Sequence, residues 1–147
     1  MKRLVLAISA ILMLLGLATV AAAGGSASKE PLETLEGVFR EGNVQGLRQL
    51  VSRGEKIYLS SPSLGFEEGY YSGDQVCLLI QEVFRSRITV RFNFLKGADL
   101  PPDTSRIATL ARWTYRIGKS KDRTVEIAFT LIRRDGGWTL KEVRDVL

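Results

Sequence analysis

The sequence predicts an α+β domain in which N-terminal helices pack on one face of a curved antiparallel sheet. Three observations carry this. Apolar residues recur at spacings of three and four in two stretches before residue 87, and from Ile88 onward the spacing changes to two. The turns between the later strands are too short to hold a crossover helix, so those strands must run antiparallel. Helices first and strands after is the order of an α+β layer.

Pro31 opens a helix whose Leu32, Leu35, Val38 and Phe39 fall on one stripe, and Gly42 suits its left-handed stop. Asn43 suits the N-cap of a second short helix carrying Val44, Leu47, Leu50 and Val51, ended by Gly54. Lys56 to Ser60 alternates as a short strand with Ile57 and Leu59 on one side and Tyr58 on the other, and a loop is expected through Ser61, Pro62, Gly65 and Gly69. Ser72 and Gln75 then form an S-x-x-Q capping box with Tyr71 and Val76 in the staple positions. The helix they start carries Val76, Leu79, Ile80, Val83 and Phe84 into a core and ends near Ser86.

In the first long strand Ile88, Val90, Phe92 and Phe94 form an apolar face, and Gly97 and Pro101-Pro102-Asp103 break the chain after it. Arg106 to Ile117 is the next, with Ile107, Thr109, Ala111, Trp113, Tyr115 and Ile117 on one side and Arg106, Arg112 and Arg116 on the other. After a turn at Gly118 to Asp122, a third strand places Val125, Ile127, Phe129 and Leu131 inward, Asp135-Gly136 marks a hairpin, and Trp138 to Val146 is the last strand.

The first 23 residues have the form of a secretion leader: Lys2 and Arg3, an apolar run from Leu4 to Val20, then Ala21-Ala22-Ala23. Cleavage is expected before Gly24, which makes the mature protein periplasmic or secreted, with 24–30 as a flexible linker and 31–147 as one domain. An uncleaved anchor is the alternative, since the apolar run is close to the shortest that spans a bilayer; after cleavage no stable membrane span remains. Losing Lys2 and Arg3 lowers the net charge from +5 to +3. The remaining basic residues are scattered rather than clustered, which argues against nucleic acid as partner.

The chain has no histidine and one cysteine. That excludes Ser-His-Asp and Cys-His nucleophilic machinery, imidazole bases and His-based zinc sites. No disulfide forms within the chain, and Cys77, at helical spacing with Val76, Ile80 and Phe84, reads as a buried small hydrophobe. No metal or cofactor is expected.

The order helix, break at Gly42-Asn43, short strand, helix opened by Gly69-Tyr70-Tyr71-Ser72, long antiparallel strands and a closing Gly137-Trp138-Thr139-Leu140-Lys141-Glu142-Val143-Arg144 resembles the nuclear-transport-factor-2-like, cystatin-like superfamily. Within it the chain is most similar to a family of secreted bacterial proteins of unknown function. Gly69, Tyr71, Ser72 and Gln75 match that family's G-x-Y-S-x-x-Q motif, and Leu140, Val143 and Arg144 match part of its closing pattern. The resemblance runs from about Leu32 to the end of the chain. It implies a cone between helices and sheet, in which the superfamily's enzymes place an Asp, a Tyr or a His-Asp pair, while other members only bind.

Three functional readings follow, one of them a structural or interaction protein whose cone is filled. The first is a non-catalytic binding or interaction module, with Tyr71, Trp113, Tyr115 and Trp138 as linings for a small apolar ligand or with the sheet serving a protein partner. The second is an enzyme of the polyketide-cyclase or ketosteroid-isomerase kind, with Asp74 as base and Tyr71 or Tyr115 as hydrogen-bond donor. Asp74 also has a structural reading, since a negative charge is favoured in a helix's first turn. Arg106, Arg112 and Arg116 suit an anionic ligand, an acidic partner or plain solvation. Ala108, Leu110, Ala128 and Ile132 on the outer side suggest a homodimer through the sheet.

Overall fold

The computed structural model describes residues 29–96, 100–101, 103–135 and 137–146. The leader, most of the linker, Gly97, Pro102 and Gly136 lie outside them. Two helices, α1 (Glu30–Glu41) and α2 (Gly73–Ser86), cover one face of a six-stranded sheet: β1 (Lys56–Ser61), β2 (Phe66–Ser72), β3 (Ile88–Lys96), β4 (Arg106–Arg116), β5 (Arg123–Arg134) and β6 (Gly137–Val146). The strand order is β2-β1-β6-β5-β4-β3, so α2 carries the chain from one edge of the sheet to the other.

The α+β expectation holds, with one refinement: the sheet is mixed. Four neighbouring pairs are antiparallel and β1 runs parallel to β6, with Tyr58 opposite Glu142. Short turns dictate direction only between consecutive strands. They say nothing of β1 and β6, which are remote in sequence.

The α1 stripe buries Pro31, Leu32, Leu35, Val38 and Phe39, and Gly42 (φ 63°) ends the helix with its N–H on the Val38 carbonyl. The expected second helix shrinks to a 3-10 turn, Leu47–Gln49. Asn43 turns its side chain onto the Gln45 N–H (2.9 Å), and a Cβ on Gly46 would meet Val38 Cγ2 at 3.0 Å, so the segment is pressed against α1. Too few residues remain there to propagate an α-helix. Leu47 and Leu50 still reach the core as the spacing required.

The expected loop after Ser61 is a 3-10 turn (Pro62–Leu64) followed by the edge strand β2. Only Phe66 of β2 is buried, and Glu67, Glu68 and Gly69 hide its pairing pattern. The capping box opening α2 is present in full: Gln75 N–H donates to Ser72 Oγ (3.3 Å) and Ser72 N–H to Gln75 Oε1 (2.8 Å).

β3 corrects the sequence phase. A bulge lies between Thr89 and Arg91, so Thr89 and Phe92 face the core opposite Tyr115 and Trp113, while Ile88 and Val90 stand exposed. The centre of the core is aromatic. Phe39 stacks on Phe92 (4.7 Å between centroids, 17°) and meets Trp113 and Phe129 edge-on at 5.4 and 5.6 Å.

Thr89 joins three elements. Its hydroxyl donates to the Phe39 carbonyl (2.6 Å) and accepts from the Trp113 indole N–H (2.9 Å). Replacing it by the isosteric valine, Thr89→Val, leaves both buried groups without a partner, an expected loss of about 1–3 kcal/mol in chemical denaturation, whereas Thr89→Ser keeps most of the stability. Equal midpoints for Val and Ser would show that this relay contributes nothing.

Candidate functional site

Among the described residues, large side chains pack the centre of the cone. Trp113 is fully buried, with its ring 4.5 Å from that of Tyr115, and Phe39 and Phe129 are nearly as inaccessible. Of the aromatic residues expected to line a pocket, the structure brings Trp113 and Tyr115 together. Trp138 is buried at the start of β6, and Tyr71 is half-buried on β2 with its hydroxyl donating to the Glu67 carbonyl (2.9 Å). Asp74 is exposed in the first turn of α2 and hydrogen-bonds neither Tyr71 nor Tyr115. Cys77 is buried, and burial pushes its thiol pKa up, so it is held in the unreactive form. Among the described residues no group of metal-ligating side chains forms.

Polar groups rim the cone where β1 and β6 end. Asp145 accepts from the Ser61 hydroxyl and from the Ser63 N–H (2.8 Å), fastening the turn after β1 to β6. Arg87, at the end of α2, lies over the Tyr115 ring (5.3 Å) and donates to the Ser63 carbonyl (3.3 Å). Its Nε–H is buried without a partner, a cost that the ring's negative face offsets. These contacts lock the rim. A separate cleft of about 510 Å³ borders the start of α2 beside Arg48 and Arg53. Ser72 already takes the Gln75 amide there and Asp74 brings negative charge to the same turn, so it offers an anion little.

The opposite, helix-free face of the sheet carries a trough of about 540 Å³. The register explains it. Tyr70, Tyr58, Glu142, Thr130 and Ala108 lie opposite one another across five strands, and Ala128 faces Leu110 beside them. Small side chains in the middle leave a floor between aromatic and cationic walls. Tyr58 and Tyr70 pack edge-to-face at 5.2 Å, Arg144 lies 5.0 Å over the Tyr58 ring, and Tyr70 is 72% exposed. The Tyr58 hydroxyl donates to the Glu68 carboxylate, which raises the phenol's pKa and keeps it a donor.

Four cations line the trough, Lys56, Arg106, Lys141 and Arg144, against one carboxylate, Glu142. Arg144 pairs with Glu142, and Lys141 with Glu55, which also meets Arg134 at 3.4 Å. Elsewhere on this face Arg112 pairs with Glu126 (2.6 Å) and Arg116 with Asp122 (2.7 Å). The sequence signal for the site is an aromatic on the polar phase of a strand: Tyr58 alternates with buried Ile57 and Leu59. Tyr70 is likewise a polar-tipped aromatic, but its place beside Tyr58 is not visible in the sequence because β2 reads as a loop.

Searched by sequence, the chain matches no family model and no curated protein. Its fold is similar to solved structures. A DUF4783 family protein from Bacteroides uniformis superposes with TM-score 0.61 at 14% identity, over 77% of this chain and 93% of that one. An epoxide hydrolase of M. tuberculosis described as LEH-like gives 0.58 at 11% identity, covering 82% of each chain. An NTF-2 like protein of unknown function from Shewanella oneidensis gives 0.56 at 13%, over 79% of this chain and 93% of its own. The fold is therefore the nuclear-transport-factor-2-like cone.

The Lys141 hydrogen bond, more than its charge or that of Arg134, holds the Glu55 carboxyl below the usual glutamate range, against some desolvation. A depressed carboxyl stabilises the fold above its unfolded-state pKa, and that contribution is lost as pH falls through the folded value. Glu55→Gln should therefore destabilise the protein at neutral pH, with the gap to the parent closing below about pH 4.5. Thermal melts of the two proteins from pH 7 down to acid check this; a gap independent of pH contradicts it.

Proposed function

We infer that the protein is an exported, non-catalytic binding module that engages its ligand or partner on the open face of the sheet. The observation that carries this reading is Tyr70: a large aromatic side chain, 72% exposed, packed edge-to-face against Tyr58 in a trough with four cations. Large aromatics with a polar tip, alongside arginine, are the side chains that dominate binding surfaces. The cone supports it from the other direction, because Trp113, Phe39, Phe92 and Phe129 occupy one another's space. On this reading Tyr71, Trp113, Tyr115 and Trp138 shape the sheet from within and act on the ligand only through it.

Export rests on the leader. Among the described residues no helix is long and apolar enough to cross a membrane. The enzyme alternative needs an acid beside a tyrosine inside the cone, and Asp74 is on the surface.

Hydroxyl-radical footprinting in the presence and absence of the host's envelope extract tests the site. Oxidation of Tyr70 and Tyr58 should drop several-fold on binding; protection confined to Tyr115 and Trp138 would return the site to the cone. Intact mass of protein recovered from the host should correspond to a chain starting at Gly24, and a Met1 start would overturn export.

A further inference from the structure

Among the described residues, two of the trough's four cations are paired and two are not. Glu55 holds Lys141 and Glu142 holds Arg144, whereas Lys56 and Arg106 make no ion pair among the described residues. The unanswered pair stands at the two ends. Lys56 is on β1 and Arg106 on β4, with β6 and β5 between them. Three inter-strand steps span about 14 Å. An extended peptide rises about 3.3 Å per residue and shows alternate side chains to one side, so the same span separates residues i and i+4 on a single face.

We propose that the trough docks an extended acidic segment of a partner protein, carrying carboxylates four residues apart that pair with Lys56 and Arg106. The segment crosses the strands instead of extending the sheet. Its central side chain, at i+2, passes between β6 and β5, beside Ile132 of β5, which lies directly opposite Arg106 and gives an apolar contact. Tyr58 and Tyr70 flank the Lys56 end. A second copy of this chain fits worse, because two-fold pairing would set the Lys56 and Arg106 line against its own image. The inference rests on the open face being the docking surface and adds the chemistry of what docks.

Fluorescence anisotropy with labelled Gly-Glu-Ala-Val-Ala-Glu-Gly tests it, beside the same peptide with both Glu replaced by Gln and one with the acids two residues apart. Each exposed ion pair gives up to about fivefold in affinity, so the i+4 acidic peptide should bind an order of magnitude more tightly than the Gln peptide at low salt. Added salt should narrow the difference. Lys56→Glu and Arg106→Glu should each weaken the acidic peptide and leave the Gln peptide unchanged, with unaltered melting confirming that both variants fold.

Equal binding of the acidic and Gln peptides, or of the two spacings, overturns the proposal. So does tighter binding of polygalacturonate that both reversals abolish, or a dimer in sedimentation that they dissociate. If the peptides bind alike and Tyr70→Ala still weakens both, the acidic spacing fails and the docking face stands. If Tyr70→Ala changes nothing and the native partner protects only cone residues, both fail.

Discussion

Phe39 of α1, driven into the concave face of the sheet, is the contact around which the molecule is arranged. Its ring stacks on Phe92 and meets Trp113, Phe129 and Phe84 at their edges, so one side chain joins α1 and α2 to three strands. Losing a phenylalanine from such a site costs about 3–5 kcal/mol, a large part of the stability of a domain this size. The same backbone carbonyl that positions Phe39 receives the Thr89 hydroxyl, which in turn satisfies the Trp113 indole. Packing and hydrogen bonding thus specify one geometry.

The two faces of the sheet differ in what they carry. Aromatic packing turns the centre of the concavity into core, and the reverse side of the same strands carries the trough on which the proposed docking rests. β1 shows the division residue by residue: Ile57 and Leu59 enter the core, and Tyr58 between them faces the trough. Charge is arranged in the same manner. Arg112 and Arg116 are answered by acids close to them, while Arg106, on the same face of β4, makes no ion pair among the described residues.

What the sequence made legible was local. The α2 capping box needs only Ser72 and Gln75, four positions apart inclusive, and the β4 and β5 alternations run unbroken through Trp113 and Phe129. What it hid depends on distant partners. The β3 phase reverses at a bulge that pairs two residues of β3 with successive residues of β4, and no periodicity within residues 88–94 reveals it. β2 is held almost wholly through β1, so its own composition resembles a loop. The site was half legible: Tyr58 stood out on a polar phase, but Tyr70 acquires meaning only once β2 lies beside β1, and Arg106 and Lys56 only once β6 and β5 separate them.

The place of β6 has a consequence for how the protein is made. It lies in the middle of the sheet, parallel to β1 and antiparallel to β5, and is the sole strand bridging the β1-β2 hairpin to the β3-β4-β5 meander. Until residues 137–146 have emerged, the strands of the nascent polypeptide form two groups with no common ladder, held together by the helices alone. Such late, sequence-distant closure slows folding. The last strand to be synthesised is thus the one that unites the sheet.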